Sequence, residues 1–341
     1  MPDSRIKIAI LGGSGYTAVE LIKILLRHPH VHIEAITSRQ EGTPLIGEVH
    51  PSLLGRIQLR CEPFAAESLR QRGVQCVFGC LPHGASMEVI PALLERGLRV
   101  IDLSADYRLR DPKVYTEWYG ELHHDTANLA KAIYGLPEIY GDAINAATLL
   151  ANPGCYPQTA ILGLAPLVAA KMIELRGIIV NSLSGVSGAG RTPKLTTHFP
   201  ECNESVSAYN IGKHRHTPEI EQALTDVAGA PVEVLFSPHM VPMDRGIFST
   251  IYAVPTRSVT EPQLLELYRA YYEKAPFVRV RETLPATKDV AFSNFLDVHV
   301  KAVRGKIVIL ACEDNLIRGA SGVAVQNFNR MFAFPETTGL F

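Results

Sequence analysis

The stretch Ile6-Lys7-Ile8-Ala9-Ile10-Leu11-Gly12-Gly13-Ser14-Gly15-Tyr16-Thr17-Ala18 joins a short apolar run to a glycine-rich turn. The isoleucine-rich run at 6–11 is typical of a buried parallel strand. Residues 19–27 then carry apolar side chains at helical spacing, and 31–36 is apolar again. A strand, a glycine turn, a helix and a second strand within about thirty residues form the βαβ unit that binds dinucleotides.

The glycine turn itself fits the pattern Gly13-x-Gly15-x-x-Ala18. Glycines let the backbone approach a pyrophosphate, and the N-terminus of the following helix attracts its negative charge. An ordinary tight turn is the alternative, but the position at the first strand–helix junction favours a cofactor site. We therefore predict that the cofactor contacts Gly12, Gly13, Ser14, Gly15, Tyr16 and Thr17.

The end of the second strand indicates which dinucleotide binds. NAD enzymes usually place Asp or Glu there to hold the ribose 2′-hydroxyl. This chain has Thr37-Ser38-Arg39. A hydroxyl and a guanidinium suit a 2′-phosphate, so we predict NADP rather than NAD. A solvated loop arginine is the alternative.

Composition excludes several classes of protein. The chain has 341 residues, a net charge of −1 and no Lys/Arg-rich block, which argues against a nucleic-acid partner. The apolar run at 160–170 contains Pro166 and is too short to span a bilayer. The N-terminus lacks the apolar region of a signal peptide.

Six cysteines without a C-x-x-C pair argue against zinc and indicate a reducing, cytoplasmic location.

A second informative stretch is Asn152-Pro153-Gly154-Cys155-Tyr156-Pro157-Gln158-Thr159. Pro153 and Gly154 end the preceding strand, and Pro157 suits the first turn of a helix. Cys155 is therefore expected at a helix start, where unpaired N–H groups favour the thiolate. A thiolate is a nucleophile, which makes Cys155 a candidate for covalent catalysis. A buried structural cysteine is the alternative.

Other strand ends offer further polar groups. A strand at 74–81 leads into Pro82-His83-Gly84-Ala85-Ser86, and a strand at 100–103 leads into 104–108. Ligands of open parallel sheets gather at carboxyl ends of strands, so His83, Ser86 and Arg108 are candidate ligand contacts. Capping or surface roles are equally compatible with these residues. The segment 110–129 is expected to be a surface excursion.

The second half of the chain has a different pattern of expected strands and helices. The helix after Cys155 is expected to reach about residue 175, and Pro218 begins another helix. A final helix at 319–331 is expected to return to the first domain. The expected strands lie at 178–182, 232–237, 247–254, 292–300 and 306–312, in a mostly antiparallel sheet with helices at 218–228 and 261–274.

Two loops of this half carry candidate chemistry. The loop 184–191 is rich in Gly and Ser and ends in Arg191, which predicts either an anion-binding nest or a flexible connector. The other loop places His214, His216 and Glu219 within six residues at a helix start. An imidazole can accept the thiol proton, and a carboxylate can orient the imidazole. A metal site is one alternative for the two histidines, but no third soft ligand lies nearby in the sequence. A polar helix cap is the other alternative.

Eight motifs in order resemble the N-acetyl-gamma-glutamyl-phosphate reductase family, which is related to aspartate-semialdehyde dehydrogenase. They are the glycine turn, Ser38-Arg39, Pro82-His83-Gly84, residues 101–106, Tyr134-Gly135-Leu136-Pro137-Glu138, Asn152 to Pro157, Ser184 to Arg191, and His214-Arg215-His216-x-Pro218-Glu219. The resemblance covers nearly the whole chain. It implies an α/β protein with a Rossmann-type NADP-binding domain at 1–151, completed by a C-terminal helix at 319–341. It also implies an α+β catalytic and dimerisation domain at 152–318, and a homodimer or homotetramer.

The resemblance also implies roles for single residues. Cys155 is the implied nucleophile, with His216 or His214 as the acid/base and Glu219 beside them. Further implied cofactor contacts are Ser38, Arg39, Pro82, Ser184, Gly185, Gly188 and Asn327, and implied substrate contacts are Arg108, Asn152 and Arg191. Two positions depart from the family pattern: Ala18 stands where a glycine is usual, and Gln158 stands where a threonine is usual.

The activity that the resemblance implies is the NADPH-dependent reduction of N-acetyl-L-glutamyl 5-phosphate to the 5-semialdehyde, through a cysteine thioester, in arginine biosynthesis. Aspartate-semialdehyde dehydrogenase is one alternative, and the cluster of His214, His216 and Glu219 argues against it. A non-catalytic NADP sensor is the other, and it would need no nucleophile at position 155.

Overall fold

The computed structural model describes residues 5–341. The first four residues of the predicted NADP-binding domain lie outside that range. The chain forms two compact units: one holds the described residues up to Pro153 together with Ala320–Phe341, and the other is Gly154–Gly319. No helix within residues 5–341 is both long enough and apolar enough to cross a membrane.

The first unit is built on a seven-stranded parallel sheet in the order β3-β2-β1-β4-β5-β7-β6. This order confirms the predicted Rossmann-type fold, because the chain reverses its direction of winding between β1 and β4. The strands are β1 Ile6–Leu11, β2 Val31–Thr37, β3 Cys61–Glu62, β4 Cys76–Gly79, β5 Arg99–Asp102, β6 Ile133–Tyr134 and β7 Leu149–Ala151. The helices are α1 Tyr16–Leu25, α2 Ile46–Val49, α3 Ala66–Gln71, α4 Ser86–Leu94, α5 Pro112–Tyr119, α6 Thr126–Leu129 and α7 Pro137–Asn145.

The segment 110–129 lies mostly at the surface, as its polarity predicts, but Tyr115 anchors it in the core. It contains α5 and α6, and Tyr115 of α5 is completely buried in the apolar core beside the sheet. The tyrosine hydroxyl donates to Asp106, which lies just after β5, at 3.0 Å. A buried tyrosine needs a partner for its hydroxyl, and Asp106 provides one where this side chain enters the core.

The second unit is built on a seven-stranded sheet in the order β12-β13-β14-β11-β8-β10-β9. The sheet is mixed, since β8 pairs with β10 and β12 pairs with β13 in parallel while the other pairs are antiparallel. The strands are β8 Ile178–Ser184, β9 Ser207–Ala208, β10 Val234–Met240, β11 Ile247–Ala253, β12 Val278–Val280, β13 Leu296–Val303 and β14 Lys306–Glu313. The helices are α8 Cys155–Ala169, α9 Phe199–Cys202, α10 Thr217–Ala228, α11 Glu261–Tyr271 and α12 Thr287–Val290.

Helix α8 packs on one face of this sheet and is almost entirely buried. A Cβ on Gly163 of α8 would lie 2.9 Å from Ile251 and 3.4 Å from Ile309, so the helix lies close against β11 and β14. The opposite face exposes apolar side chains on neighbouring strands. Leu235 pairs with Ile179, and Ile179 pairs with Tyr252, and these three side chains are 51%, 40% and 41% exposed.

Helix α8 ends at Ala169, six residues before the predicted end. Lys171 has a positive φ of 53°, and the Met172 N–H donates to the carbonyl of Leu167. That bond closes a Schellman motif, which terminates a helix. The residue with positive φ in this motif is normally glycine. Because position 171 is a lysine, the sequence does not mark the end of the helix, and the predicted end is too late.

The last helix, α13 Gly322–Met331, belongs to the first unit, as predicted. A short π-helical turn, Ile317–Ser321, precedes it. Phe328 of α13 is completely buried, and its ring lies 5.8 Å from that of Phe78 in β4. The end of the chain therefore supplies part of the core of a unit whose sheet is built from the start of the chain.

Candidate active site

Cys155 is the first residue of α8, as its sequence context predicts. Gly154 caps the helix with an extended backbone (φ −69°, ψ 156°), and Pro157 lies in the first turn, where a missing N–H costs nothing. The Cys155 side chain is half-buried. The thiol thus lies beside the N-terminal N–H groups of a fifteen-residue helix, a setting that stabilises a thiolate and an adjacent oxyanion.

The start of α10 lies against the start of α8. Glu219, in the first turn of α10, is 1% exposed, and its Oε1 accepts the N–H of Gly154 at 2.7 Å. His216 is the N-cap of α10, and Pro218 follows in the first turn. Glu219 therefore links the two helix starts that carry Cys155 and His216.

His214 has a bond that distinguishes it from His216. Its Nδ1 accepts the backbone N–H of His216 at 3.1 Å, so Nδ1 carries no proton in this arrangement. Burial lowers the pKa of His214 to about 4, and the charge of Arg215 adds to the effect. His214 is consequently neutral near pH 7 and acts as a cap on the loop before α10.

Aromatic rings surround the two histidines. The Tyr156 ring lies 5.6 Å from that of His214 and 6.0 Å from that of His216, and the two histidine rings are 4.8 Å apart. The Tyr156 hydroxyl lies 2.8 Å from the hydroxyl of Tyr209, just after β9. Tyr209 was not predicted, because nothing in its flanking sequence marks a functional tyrosine.

Gly319 is a second residue that the sequence analysis did not identify. A Cβ at this position would lie 2.8 Å from the Cβ of Cys155 and 2.8 Å from Oε1 of the buried Glu313. Only glycine allows the π-helical turn to pass this close to the nucleophile. The only sequence signal for this close approach to Cys155 is a glycine just before the small residues that begin α13.

The composition of the loop after β8 predicts either an anion-binding nest or a flexible connector, and several of its N–H groups bond to backbone carbonyls of the same unit. The N–H groups of Gly185, Val186 and Ser187 donate to the carbonyls of Gly246, Met243 and Asp244. A Cβ on Gly185 would lie 2.5 Å from the Asp244 carbonyl oxygen, so glycine serves close packing there. Arg191 is exposed. The cofactor contacts of Ser184, Gly185 and Gly188 and the substrate contact of Arg191 remain predictions.

In the first unit, the glycine turn lies between β1 and α1. Gly12 has φ 77°, and a Cβ there would lie 2.4 Å from the Cys80 carbonyl oxygen. A Cβ on Gly15, the N-cap of α1, would meet nothing within 4 Å. The turn is therefore packed against the sheet on one side and open at Gly15, which fits a pyrophosphate at the start of α1. Ser14, Tyr16 and Thr17 lie in the same turn and helix start.

Ser38 and Arg39 directly follow β2, at the carboxyl edge of the sheet. The Ser38 N–H donates to the Glu62 carbonyl, and the Arg39 side chain is exposed. The nearest acidic residue in β2 is Glu34, whose carboxylate pairs with Lys7 and Arg72. The end of β2 thus offers a hydroxyl and a cation to a ligand.

The turn after β4, Pro82 to Ser86, is held by the loop after β5. Asp106 accepts the N–H groups of Gly84 and Ser86 at 2.9 and 3.1 Å, and the Ala105 N–H donates to Nδ1 of His83. The Ser86 hydroxyl donates to Asp102 at 2.7 Å. These bonds fix the exposed Pro82 at the carboxyl edge, on the β4 side of the point where the winding reverses.

Arg108, Asn152 and Asn327 form a buried bridge in the first unit. Arg108 donates to the carbonyls of Asn152 and Leu103 at 2.7 and 3.0 Å. The Asn152 amide donates to the Ala320 carbonyl, and Asn327 donates to Gly135. These contacts stabilise the strand ends. The substrate role of Arg108 and Asn152 and the cofactor role of Asn327 remain predictions.

Asp102 gives a testable pH dependence. It is completely buried, and burial raises its pKa to about 6, with the charge of Asp106 adding to the effect of burial. A raised carboxyl pKa means that stability present at low pH is lost as the pH rises from about 4 to about 6, by up to about 3 kcal/mol. Asp102→Asn should therefore gain thermal stability relative to the unmodified protein as the pH rises from 4.5 to 7.

Thermal unfolding of both proteins across that range measures the effect. The oxygen of Asn can keep the bonds from the Ser86 hydroxyl and the Ser104 N–H, and the Ser104 hydroxyl can turn to accept from the amide. Asp142→Asn, at an exposed site of α7, is the matched control and should show no such trend. A constant difference between Asp102→Asn and the unmodified protein would show that Asp102 stays ionised throughout.

Two family models match the chain. Residues 7–147 match the semialdehyde dehydrogenase NAD binding domain, and residues 155–315 match the semialdehyde dehydrogenase dimerisation domain. Within the described residues 5–341, no group of three or more His, Cys, Asp or Glu side chains is arranged to hold a metal ion.

Similar proteins cover the chain from end to end. An N-acetyl-gamma-glutamyl-phosphate reductase from Rhodopirellula baltica is 47% identical over 100% of this chain and 99% of its own. One from Citrifermentans bemidjiense is 48% identical over 98% of both. Among solved structures, aspartate semialdehyde dehydrogenase II of Vibrio cholerae has a TM-score of 0.74 at 16% identity over 96% of this chain and 98% of its own, which supports the fold.

Proposed function

Because this chain belongs to the N-acetyl-gamma-glutamyl-phosphate reductase family, we propose that it reduces N-acetyl-L-glutamyl 5-phosphate to N-acetyl-L-glutamate 5-semialdehyde, releasing phosphate. The observation that carries the proposal is Cys155 at the start of α8, linked through Gly154 and Glu219 to the helix start that bears His216. This arrangement supplies a nucleophile, an oxyanion site and an acid/base within one unit.

The first chemical step is acyl transfer to Cys155. The thiolate attacks the acyl carbon, a C–S bond forms, and the C–O bond to phosphate breaks. The N–H groups at the start of α8 stabilise the oxyanion that develops during the attack. His216 takes the thiol proton before the attack and returns it to the departing phosphate, whose loss leaves a thioester on Cys155.

The second step reduces that thioester. NADPH, when bound, supplies the hydride equivalent. The resulting thiohemiacetal collapses, its C–S bond breaks, and the aldehyde leaves while Cys155 regains its thiolate. The exposed guanidinium of Arg191 is a proposed ligand for the phosphate or carboxylate of the substrate.

The reverse reaction provides the direct test. Purified protein is mixed with N-acetylglutamate semialdehyde, phosphate and NADP, and the appearance of NADPH is followed by absorbance. We expect phosphate-dependent turnover, with aspartate semialdehyde a much poorer substrate. A preference for aspartate semialdehyde would contradict the proposed substrate, and NADPH binding without turnover of either aldehyde would indicate a sensor.

The preference for NADPH rests on Ser38 and Arg39. Replacing Arg39 by leucine removes a charge-assisted bond to the 2′-phosphate, which should raise the KM for NADPH roughly tenfold or more. The KM for NADH should change little, because NADH lacks that phosphate. Arg56→Leu, at another exposed arginine of the same unit, is the control. Equal effects of Arg39→Leu on both cofactors would contradict the assignment.

The proposed assembly is a homodimer formed through the open face of the second sheet. Ile179, Leu235 and Tyr252 present an apolar row there, and the unit that carries them matches a dimerisation domain. Tyr252→Glu would place a buried charge in such an interface and should shift sedimentation toward the 37.3 kDa monomer. Leu54→Glu, at an exposed site of the first unit, should not. A tetramer that survives Tyr252→Glu would contradict this interface.

The reducing, cytoplasmic location remains a prediction.

A further inference from the structure

His50 lies beside the glycine turn, although nothing in its flanking sequence suggests a function. It directly follows α2 and precedes a 3₁₀ turn, Pro51–Leu53. Its side chain is 7% exposed, and Nε2 lies 2.8 Å from the carbonyl oxygen of Gly13. A carbonyl oxygen only accepts hydrogen bonds, so the proton of the imidazole must reside on Nε2.

The glycine turn is held on two sides. The N–H groups of Gly12 and Gly13 both donate to the carbonyl of Thr37 at the end of β2, at 3.1 and 2.9 Å. A Cβ on Gly13 would lie 2.4 Å from Ile36 and 3.5 Å from Ile46 of α2. The backbone around Gly13 is therefore pressed against β2 and α2, and His50 binds the Gly13 carbonyl oxygen.

The orientation of this carbonyl determines the orientation of the next N–H. The peptide between Gly13 and Ser14 is trans, since residues 5–341 contain no cis peptide bond. In a trans peptide the C=O and the following N–H point in opposite directions. Binding of the Gly13 oxygen by His50 thus turns the Ser14 N–H away from His50.

We propose that His50 is a positioning residue for the pyrophosphate of the cofactor. By holding the Gly13 carbonyl toward α2, it presents the Ser14 N–H to an anion at the start of α1 and keeps the carbonyl oxygen away from the phosphate charge. Without the imidazole, the buried carbonyl loses its partner and the peptide is free to rotate, which would bring the oxygen toward the phosphate. The inference rests on the proposed use of a dinucleotide by this unit.

Binding measurements with two ligands test the proposal. NADPH contains the pyrophosphate, and adenosine 2′-monophosphate lacks it but keeps the adenosine and its 2′-phosphate. Dissociation constants are measured by calorimetry for the unmodified protein, His50→Phe and His50→Gln, and thermal unfolding reports the fold of each. His50→Leu replaces His50→Phe if the latter does not fold.

His50→Phe should weaken NADPH binding roughly tenfold or more, since a factor of ten corresponds to the loss of about one hydrogen bond. Binding of adenosine 2′-monophosphate should change less than about twofold, because its contacts lie elsewhere on the carboxyl edge. His50→Gln keeps an N–H donor and should restore most of the NADPH affinity. His124→Phe, at an exposed histidine of the same unit, should leave both ligands unaffected.

Equal weakening of both ligands by His50→Phe would indicate a general structural role and overturn the inference, as would unchanged NADPH binding or no restoration by His50→Gln. Failure of the unmodified protein to bind NADPH would overturn the proposed cofactor and this inference with it. Failure of the His50 inference and failure of the proposed cofactor are distinguishable, because only in the former does the unmodified protein bind NADPH.

Discussion

Cys155→Ser should lower kcat on the order of a thousandfold or more, with little change in the binding of NADPH. Serine keeps the size of the side chain and the start of α8, but its hydroxyl is not ionised near neutral pH. The bond to the acyl carbon then has no thiolate to form it. Single-turnover mixing of enzyme and acyl phosphate, analysed by mass spectrometry, should show a thioester adduct on the unmodified protein and none on the variant.

Matched cysteines make the test specific. Burial raises the pKa of Cys80 and of Cys312 to about 12 and raises that of Cys61, so these thiols should resist alkylation near neutral pH. Cys202 is half-buried in α9 and serves as the control. Cys202→Ser should retain full turnover, and Cys155→Ser with full turnover would falsify covalent catalysis at this position.

His216→Asn should cost roughly a hundredfold or more in kcat, the usual contribution of a general acid/base. His214→Asn should cost far less. The bond that His214 makes is to the N–H two residues on, and an asparagine oxygen accepts the same N–H in an Asx turn. The difference between two histidines two residues apart would identify which imidazole moves the proton.

The pH dependence of kcat/KM separates the same roles. His214 has a pKa of about 4 and is neutral across the range from pH 5.5 to 9, so it cannot produce an ionisation within that range. The profile of His214→Asn should therefore keep the shape of the unmodified enzyme, whereas His216→Asn should change that shape, because the variant lacks the proposed acid/base. Loss of an ionisation in His214→Asn instead would reverse the assignment.

The parts of the candidate site that depend on local chain geometry are predictable from the sequence. The glycine turn follows a strand and begins a helix, and Cys155 follows Pro153 and Gly154, which stop a strand. Each of these features is encoded within a few neighbouring residues. The same holds for His216 and Pro218 at the start of α10.

Features that depend on distant contacts could not be predicted. Gly319 lies against Cys155 although 164 positions separate them in the numbering (319 minus 155). Tyr115 is buried because Asp106 accepts its hydroxyl, and the polarity of the segment hides this. His50 looks like an ordinary loop residue until its bond to Gly13 is seen. Only the folded chain reveals such pairs.

The first unit is assembled from two separated pieces of chain, one before Gly154 and one from Ala320 onward. During synthesis, a ribosome must therefore translate the whole intervening unit before α13 can emerge. Until then, the nascent Rossmann-type sheet lacks Phe328 and leaves the surface around Phe78 uncovered. Uncovered apolar surface of this kind promotes aggregation, and a premature stop near the end of the gene removes core from the domain made first.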